Sequence, residues 1–208
     1  LEAGTEQERR ESLAFLIAGV DRTSRLVNQL LTMARLEPKA TAPVLHVIDL
    51  SATVRASLVQ LTPWILSKNL ELAFDVSEQP FEMVADAAVI DIALNNLISN
   101  AVNFSPEQGV ITVKLSQADG FYSLSVEDQG PGINESDRGR LFERFYSRGN
   151  AQGAGLGLTI VNTIATRLGG HITLANRPEG GLCATLSIPD GHPRNPLQRT
   201  TRDLPPNT

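Results

Sequence analysis

Three short clusters rich in asparagine and glycine, in a fixed order, constrain the fold of this chain more than any other feature. They occupy residues 96–101, 128–133 and 153–158. Glycine lets the backbone adopt a positive φ and lets a flat ligand approach closely. We therefore interpret the clusters as parts of one binding site, and this interpretation rests on their order more than on any single cluster.

The first cluster places Asn96 and Asn100 four residues apart in a predicted helix over residues 87–103. Both amides then project from the same face of that helix. Amide oxygens are neutral ligands for Mg²⁺, and they leave the charge of the ion free for phosphate groups. Taken alone, the pair fits two surface amides of a helix better than a metal site.

The second cluster begins with Asp128, shortly after a predicted strand over residues 122–126. A carboxylate held at the end of a strand can accept a hydrogen bond from an exocyclic amine. An ordinary aspartate turn has the same composition and is the alternative interpretation. The cluster therefore indicates a base-binding carboxylate only in combination with the other two.

The third cluster leads into a predicted helix over residues 156–168. Backbone N–H groups of such a loop, together with the helix N-terminus, form an anion site, although a flexible glycine linker is an equal alternative. No Lys-Ser or Lys-Thr follows, which excludes a P-loop. Residues 141–150 carry aromatic side chains and arginines, which predicts a lid over a nucleotide.

Residues 6–36 contain no proline and one glycine, Gly19. Their apolar positions repeat at steps of three and four, which predicts one long helix with an apolar stripe suited to a bundle. The stripe comprises Leu13, Leu16, Val20, Thr23, Val27, Leu30 and Ala34. Pro38 ends the helix. The helix packs either on its own domain or, as we favour, on a second copy of the chain.

The remainder of the chain predicts an α+β two-layer sandwich over residues 39–189. The predicted strands cover residues 44–50, 70–76, 81–84, 110–115, 122–126, 171–175 and 182–188, and the predicted helices cover 51–67, 87–103 and 156–168. Ser51 and Asp86 are the expected N-caps, and Pro63 is expected to kink or end the first of these helices. The proline-rich tail predicts disorder.

Composition excludes several other classes of protein. Acidic residues outnumber basic ones by 23 to 18, which argues against a nucleic-acid partner. A single cysteine cannot form an internal disulfide, and the three histidines are too scattered for structural zinc. No apolar run reaches the roughly 18 residues of a membrane span. Because the sequence has no initiator methionine, we expect a piece of a longer chain.

The segments at 96–106, 128–133, 142–146 and 153–158 resemble the N box, first glycine box, F box and second glycine box of bacterial sensor histidine kinases. These kinases share a superfamily with DNA gyrase, the large heat-shock chaperone ATPases and MutL. The short lid is similar to that of the quorum- and tricarboxylate-sensing membrane kinases.

The resemblance implies the two-layer α/β sandwich of that superfamily, preceded by one long dimerisation helix. The implied domains are residues 1–38, the second helix of a dimerisation and phosphotransfer hairpin; residues 39–189, the ATP-binding catalytic domain; and residues 190–208, a disordered tail.

The resemblance also implies a role for each matching residue. Asn100, helped by Asn96, would hold Mg²⁺, and both would act in catalysis together with Arg148. Asp128 would bind the adenine amine of ATP. The other residues implied at the nucleotide are Asn103, Phe104, Gly130, Gly132, Ile133, Tyr146, Gly153, Gly155, Leu156, Gly157 and Leu158.

Three positions distinguish this chain within the superfamily. Family members often carry Lys or Arg in place of Asn103 and Arg in place of Ser147, whereas here Arg148 follows one residue later. The ATPase branches place a general-base Glu at the position of Asn96. Because an amide cannot accept a proton from water at neutral pH, we expect ATP to be held for phosphoryl transfer rather than hydrolysed.

A histidine kinase needs a phosphoacceptor histidine on a helix. His46 and His171 fall on predicted strands and His192 in the tail, so we expect the acceptor outside this sequence. The resemblance implies transfer of the γ-phosphate of Mg-ATP to that histidine in two-component signalling. An ATP-binding module without kinase activity, an ATPase and a simple dimerisation protein are the alternatives.

The resemblance implies partners and a location as well. We expect a cognate response regulator, a homodimer formed through the helical hairpin, and no nucleic acid. The chain would be the cytoplasmic portion of a bacterial inner-membrane protein, attached to the membrane only through segments outside this sequence.

Overall fold

The computed structural model describes residues 6–35, 45–76, 81–146 and 155–191. The helices are α1 (Glu6–Arg35), α2 (Leu50–Ser67), α3 (Ala87–Phe104) and α4 (Gly157–Arg167), with a 3₁₀ helix at Glu135–Arg140. The strands are β1 (His46–Asp49), β2 (Glu71–Val76), β3 (Glu82–Ala85), β4 (Val110–Ala118), β5 (Phe121–Glu127), β6 (His171–Asn176) and β7 (Leu182–Pro189). Of the predicted tail at residues 190–208, the structure describes only residues 190 and 191, where Asp190 is buried rather than disordered. The rest of the tail lies outside the described residues, as do Ser147, Arg148 and Gly153.

Five strands form the main sheet, in the order β2-β4-β5-β7-β6. Strand β2 pairs with β4 in parallel, and the other neighbours are antiparallel. Residues 110–115 of β4 and all of β5 alternate between buried and partly buried positions, the pattern of a sheet covered on one face. Because α2, α3 and α4 pack on this sheet, the predicted α+β two-layer sandwich is confirmed.

Helix α3 connects the other two core helices, since both α2 and α4 pack against it. Its buried residues recur at helical spacing, namely Ile90, Ala93, Leu94, Leu97, Ile98, Ala101 and Val102. The same 3.6-residue period places Asn96 and Asn100 at the edge of this buried face, where both side chains are partly exposed. Burial of the apolar face thus sets the direction of the two amides.

The expected cap of α3 is confirmed, because the Asp86 carboxylate accepts a hydrogen bond from the Ala88 N–H at 3.0 Å. The expected cap of α2 is wrong. Asp49 fills the N-cap, and its carboxylate accepts both the N–H and the hydroxyl of Ser51, at 2.9 and 2.7 Å. A carboxylate can accept several donors at once, so Asp49 takes the cap and Ser51 becomes one of its donors.

Helix α2 also continues through Pro63 to Ser67, so Pro63 does not end it. Leu58 and Ile65, on either side of the proline, are buried in the core and hold the helix in place. Strands β1 and β3 form a separate antiparallel pair, which no local pattern predicts.

The predicted single helix over residues 6–36 is confirmed as α1. Its apolar residues stay largely exposed, with Phe15 at 80% and Val20 at 68%, while Met33 near its end packs against the core. Within the described ranges, no helix has both the length and the hydropathy needed to cross a bilayer.

Candidate functional site

The start of α4 lies against two asparagine amides of α3. A Cβ placed on Gly157 would be 3.3 Å from Asn96 Oδ1 and 3.4 Å from Asn100 Oδ1. Asn96 Nδ2 donates to the Ile92 carbonyl at 2.8 Å, and its Oδ1 faces Gly157. The first and third sequence clusters therefore meet at a helix N-terminus, where first-turn N–H groups favour an anion.

Asp128 follows β5 and is only 5% exposed. Its Oδ1 accepts hydrogen bonds from the Gly130 N–H at 2.8 Å and the Leu182 N–H at 3.0 Å. Burial raises the pKa of the Asp128 carboxyl, and the two backbone donors and the Arg177 guanidinium oppose that shift. In the described part of the chain, both hydrogen bonds to this carboxylate end on Oδ1, which leaves Oδ2 for another donor.

The second cluster packs against the end of α3. A Cβ on Gly130 would lie 2.6 Å from the Phe104 carbonyl oxygen, so this close approach requires glycine. The Phe104 side chain is 43% exposed. Asn100 precedes Phe104 by four residues, or about 6 Å of helical rise. Helix α3 therefore joins the Asp128 end of the site to the start of α4.

The far end of the second cluster is held by Asn176, the last residue of β6. Asn176 Nδ2 donates to the Ile133 carbonyl, and its Oδ1 accepts the Ile133 N–H, both at 2.8 Å. Gly132 has a φ of +68°, and a Cβ there would lie 2.6 Å from Asn176 Oδ1. A residue other than glycine would be strained in its backbone and would push the amide away.

The described part of the predicted lid, residues 141–146, meets the third cluster at Gly155. The Phe145 N–H donates to the Gly155 carbonyl at 3.0 Å, and a Cβ on Gly155 would lie 2.5 Å from the Tyr146 carbonyl oxygen. The Tyr146 hydroxyl donates to Asp137 Oδ1 at 2.9 Å, and the Arg140 guanidinium stacks 4.4 Å from the centre of the Tyr146 ring. The 3₁₀ helix thus fixes Tyr146.

The structure brings most of the predicted site residues together. Leu158 and Asn103 are partly exposed on α4 and α3, and each is next in sequence to a residue already described, Gly157 and Phe104. Leu156 differs, because it is fully buried and its side chain belongs to the core, so that only its backbone can face a ligand.

Sequence reasoning missed three residues of the β6–β7 turn region: Asn176, Arg177 and Leu182. All three hydrogen-bond to the second cluster. The available signal was the glycine pair at residues 180 and 181, which marks a turn but does not indicate what the turn contacts.

Residues 85–192, just over half of the chain, match the family described as histidine kinase-, DNA gyrase B- and HSP90-like ATPases. The swarming motility regulation sensor protein RssA of Serratia marcescens is 31% identical over 192 residues, which are 90% of this chain and 40% of RssA. The sensor protein CreC of Escherichia coli K12 is 36% identical over 170 residues, which are 80% of this chain and 35% of CreC.

The crystal structure of full-length ShkA in complex with AMPPNP is similar to this chain with a TM-score of 0.72 at 31% identity. The similarity covers 91% of this chain and 40% of ShkA. The chain thus spans 40% or less of the length of RssA and CreC. The matched segment, which contains Asp128, Gly157 and both asparagines, shows that the chain belongs to the histidine kinase-, DNA gyrase B- and HSP90-like ATPase family, as its sequence predicts.

Proposed function

We propose that this chain is the catalytic part of a sensor histidine kinase, which binds Mg-ATP and transfers the γ-phosphate to a histidine of the dimerisation domain. The observation that carries the proposal is the contact of Gly157 with the Asn96 and Asn100 amides. Through α3, this contact is linked to the buried Asp128. One helix thus supports a site with one end suited to phosphates and the other to a base.

At the base end, we assign Asp128 Oδ2 to the amine of adenine. An amine donor matches a carboxylate whose other oxygen already accepts the Gly130 and Leu182 N–H groups. Phe104 lies beside Gly130 and Ile133 ends the second cluster, and the apolar side chains of both suit the faces of a purine ring. Leu158 on α4 is assigned to the same apolar wall.

At the phosphate end, Asn100 and Asn96 fit Mg²⁺. Their Oδ1 atoms approach the same point beside Gly157, and Mg²⁺ takes one or two protein oxygens and fills its other positions with phosphates and water. The bound ion supplies charge neutralisation on the phosphates. Gly157 and the first turn of α4 donate backbone N–H groups to the phosphate oxygens.

Phosphoryl transfer, rather than hydrolysis, is supported by Asn96. Its amide donates to the Ile92 carbonyl and cannot take a proton from water. Of the two histidines in the described ranges, His46 opens β1 and His171 opens β6, where it packs edge-on against Phe121. We therefore place the acceptor histidine on a separate helix.

We also propose that residues 1–38 form one helix of a dimerisation hairpin and residues 39–189 the catalytic domain. The exposure of Leu16, Val20 and Phe15, at 62, 68 and 80%, supports a helix that packs on another helix. A response regulator would be the second partner. The chain would form the cytoplasmic portion of a bacterial inner-membrane kinase, and it is similar to two proteins that are named as sensor proteins.

Phosphotransfer in trans tests the proposal. The chain is mixed with Mg²⁺, γ-labelled ATP and a separately expressed dimerisation hairpin that carries an acceptor histidine. Acid-labile label on the hairpin is the expected result. Asn100→Asp should abolish transfer, because a carboxylate adds negative charge beside the phosphates.

Asn95→Asp is the matched control, since it adds the same charge to an exposed neighbour whose amide contacts the Asp91 carbonyl; it should retain transfer. A hairpin lacking the histidine should take no label. ATP binding without label on any hairpin would indicate an ATP-binding module instead. Release of free phosphate without a hairpin would indicate an ATPase.

A further inference from the structure

The turn between β6 and β7 contacts the second cluster at both of its ends. The turn closes through hydrogen bonds from the Arg177 N–H to the Gly181 carbonyl and from the Gly180 N–H to the Arg177 carbonyl, at 3.0 and 3.1 Å. A Cβ on Gly181 would clash with the Asp128 carbonyl oxygen. The turn backbone therefore packs against the main chain of Asp128 as closely as glycine allows.

Asn176 holds the Ile133 end of the cluster. Residues 131–134 belong to no helix or strand, so no helix or strand ladder fixes the backbone of Ile133. The Asn176 amide supplies one donor and one acceptor to the N–H and C=O of Ile133, much as a neighbouring strand would. Two opposed hydrogen bonds to a single residue fix both its position and its orientation.

Arg177 holds the Asp128 end. Its Nη1 donates to the Asp128 main-chain carbonyl at 2.8 Å, and its Nε lies 3.6 Å from Glu127 Oε2. Glu127 Oε1 in turn lies 2.7 Å from Lys114 Nζ. Glu127 therefore orients the Arg177 guanidinium. Lys114 pairs with the same Glu127 carboxylate but, among the described contacts, makes no hydrogen bond to Asp128.

We propose that Asn176 and Arg177 are positioning residues for recognition of the adenine base. Arg177 fixes the main chain of Asp128, and Asn176 fixes that of Ile133, so the carboxylate and the apolar wall keep one relative placement. The proposal rests on the assignment of Asp128 to adenine made above. Neither residue touches the nucleotide; each acts through the segment that does.

This role predicts a change in base selectivity rather than a uniform loss of affinity. A displaced Asp128 carboxylate weakens the hydrogen bond to the adenine amine but leaves the phosphate contacts of α4 intact. The measured quantity is the ratio of two dissociation constants, that of purine riboside triphosphate, which lacks the amine, over that of ATP. Asn176→Ala and Arg177→Ala should each lower this ratio at least about threefold.

Lys114→Ala is the matched control, because it removes the other cation of the Glu127 carboxylate and leaves the Arg177–Asp128 hydrogen bond in place. It should keep the wild-type ratio. Circular dichroism checks that each variant is folded, and Asn176→Ser and Arg177→Gln replace any alanine variant that is not.

The outcomes separate this inference from the proposed function. A wild-type ratio near one would overturn the assignment of Asp128 and the inference with it. A high wild-type ratio that folded Asn176 and Arg177 variants retain within twofold would overturn the inference alone. An equal fall of the ratio in Lys114→Ala would also overturn the inference. The loss would then come from removing a positive charge from the sheet, and not from the hydrogen bond between Arg177 and Asp128.

Discussion

Replacing Asp128 with Asn separates the binding role of this residue from its effect on the fold. The two side chains have nearly the same shape, and an Asn oxygen can still accept the Gly130 and Leu182 N–H groups. The atom at the Oδ2 position changes, because Asn presents an NH₂ donor there and Asp presents an acceptor. At a site that binds the adenine amine, the variant sets two donors against each other.

The size of the effect follows from the charge of the acceptor. A hydrogen bond to a charged group contributes about 1.5–3 kcal/mol. At 1.4 kcal/mol per factor of ten, its loss weakens ATP binding by about 10- to 140-fold. Purine riboside triphosphate has no amine to lose, so it should bind the wild type and the variant similarly.

The same substitution should stabilise the folded chain at neutral pH. Burial raises the native pKa of Asp128 above its ordinary value of 3.8, so the native state retains a proton that the unfolded chain releases. Stability therefore falls as the pH rises from 3.8 through the raised native pKa and stays lower above it. Asn has no charge to desolvate. The stability of the variant relative to the wild type therefore increases between pH 3.8 and the raised native pKa, and the difference remains at pH 7.

Two measurements check these opposite effects. Calorimetric titration with ATP and with purine riboside triphosphate gives the affinities, and thermal unfolding at pH 7 and below pH 4 gives the stabilities. ATP affinity within twofold of the wild type, in a folded variant, would refute the assignment of Asp128 to the base. A lower melting temperature of the variant at pH 7 would refute the reasoning from burial.

Four further substitutions test other parts of the structure. Gly180→Ala and Gly181→Ala share a positive φ, +94° and +97°, but only the second places a methyl group against the Asp128 carbonyl. Backbone strain should lower the free energy of unfolding of Gly180→Ala, measured in urea, by about 1 kcal/mol. Overpacking should lower that of Gly181→Ala by about 2 kcal/mol more. Equal losses in the two variants would contradict the close contact between Gly181 and Asp128. Gly157→Ala brings a methyl group within 3.3 Å of Asn96 Oδ1 and 3.4 Å of Asn100 Oδ1, so phosphotransfer in single-turnover assays should slow about tenfold while the melting temperature is retained. Asp86→Ala removes the α3 cap and should cost about 1 kcal/mol, seen as a fall of about 2–4 °C in melting temperature.

Local periodicity explains why α3 and its two amides could be predicted from the sequence. Apolar residues at helical spacing specify which face is buried, and that choice also fixes the direction of Asn96 and Asn100. The α2 cap could not be predicted in this way, because Asp49 and Ser51 both suit an N-cap. The Phe81 N–H, which donates to Asp49 Oδ1 at 3.3 Å, comes from a distant segment that favours Asp49.

The β6–β7 turn shows the same limit more strongly. Asn176 lies 43 residues from the Ile133 that it holds, and Arg177 lies 49 residues from Asp128. Their partners are main-chain atoms, which every residue has, so no pattern of side chains in the second cluster marks the contact. Only the pairing of β5 with β7 and of β7 with β6 brings the turn beside Asp128.

The two ends of the site differ in what supports them. Asp128 is hydrogen-bonded to the start of β7 and to the turn that follows β6, so the main sheet holds the base end. The start of α4 is instead hydrogen-bonded to the lid segment. The Phe145 N–H donates to the Gly155 carbonyl, and the Thr159 hydroxyl donates to the Phe142 carbonyl, both at 3.0 Å. Because α3 contacts both ends, a ligand spanning them would join the lid to the sheet. A change at the base end should therefore alter the affinity for ATP, and a change at the start of α4 should alter the rate of phosphotransfer. Asp128→Asn tests the first expectation and Gly157→Ala tests the second.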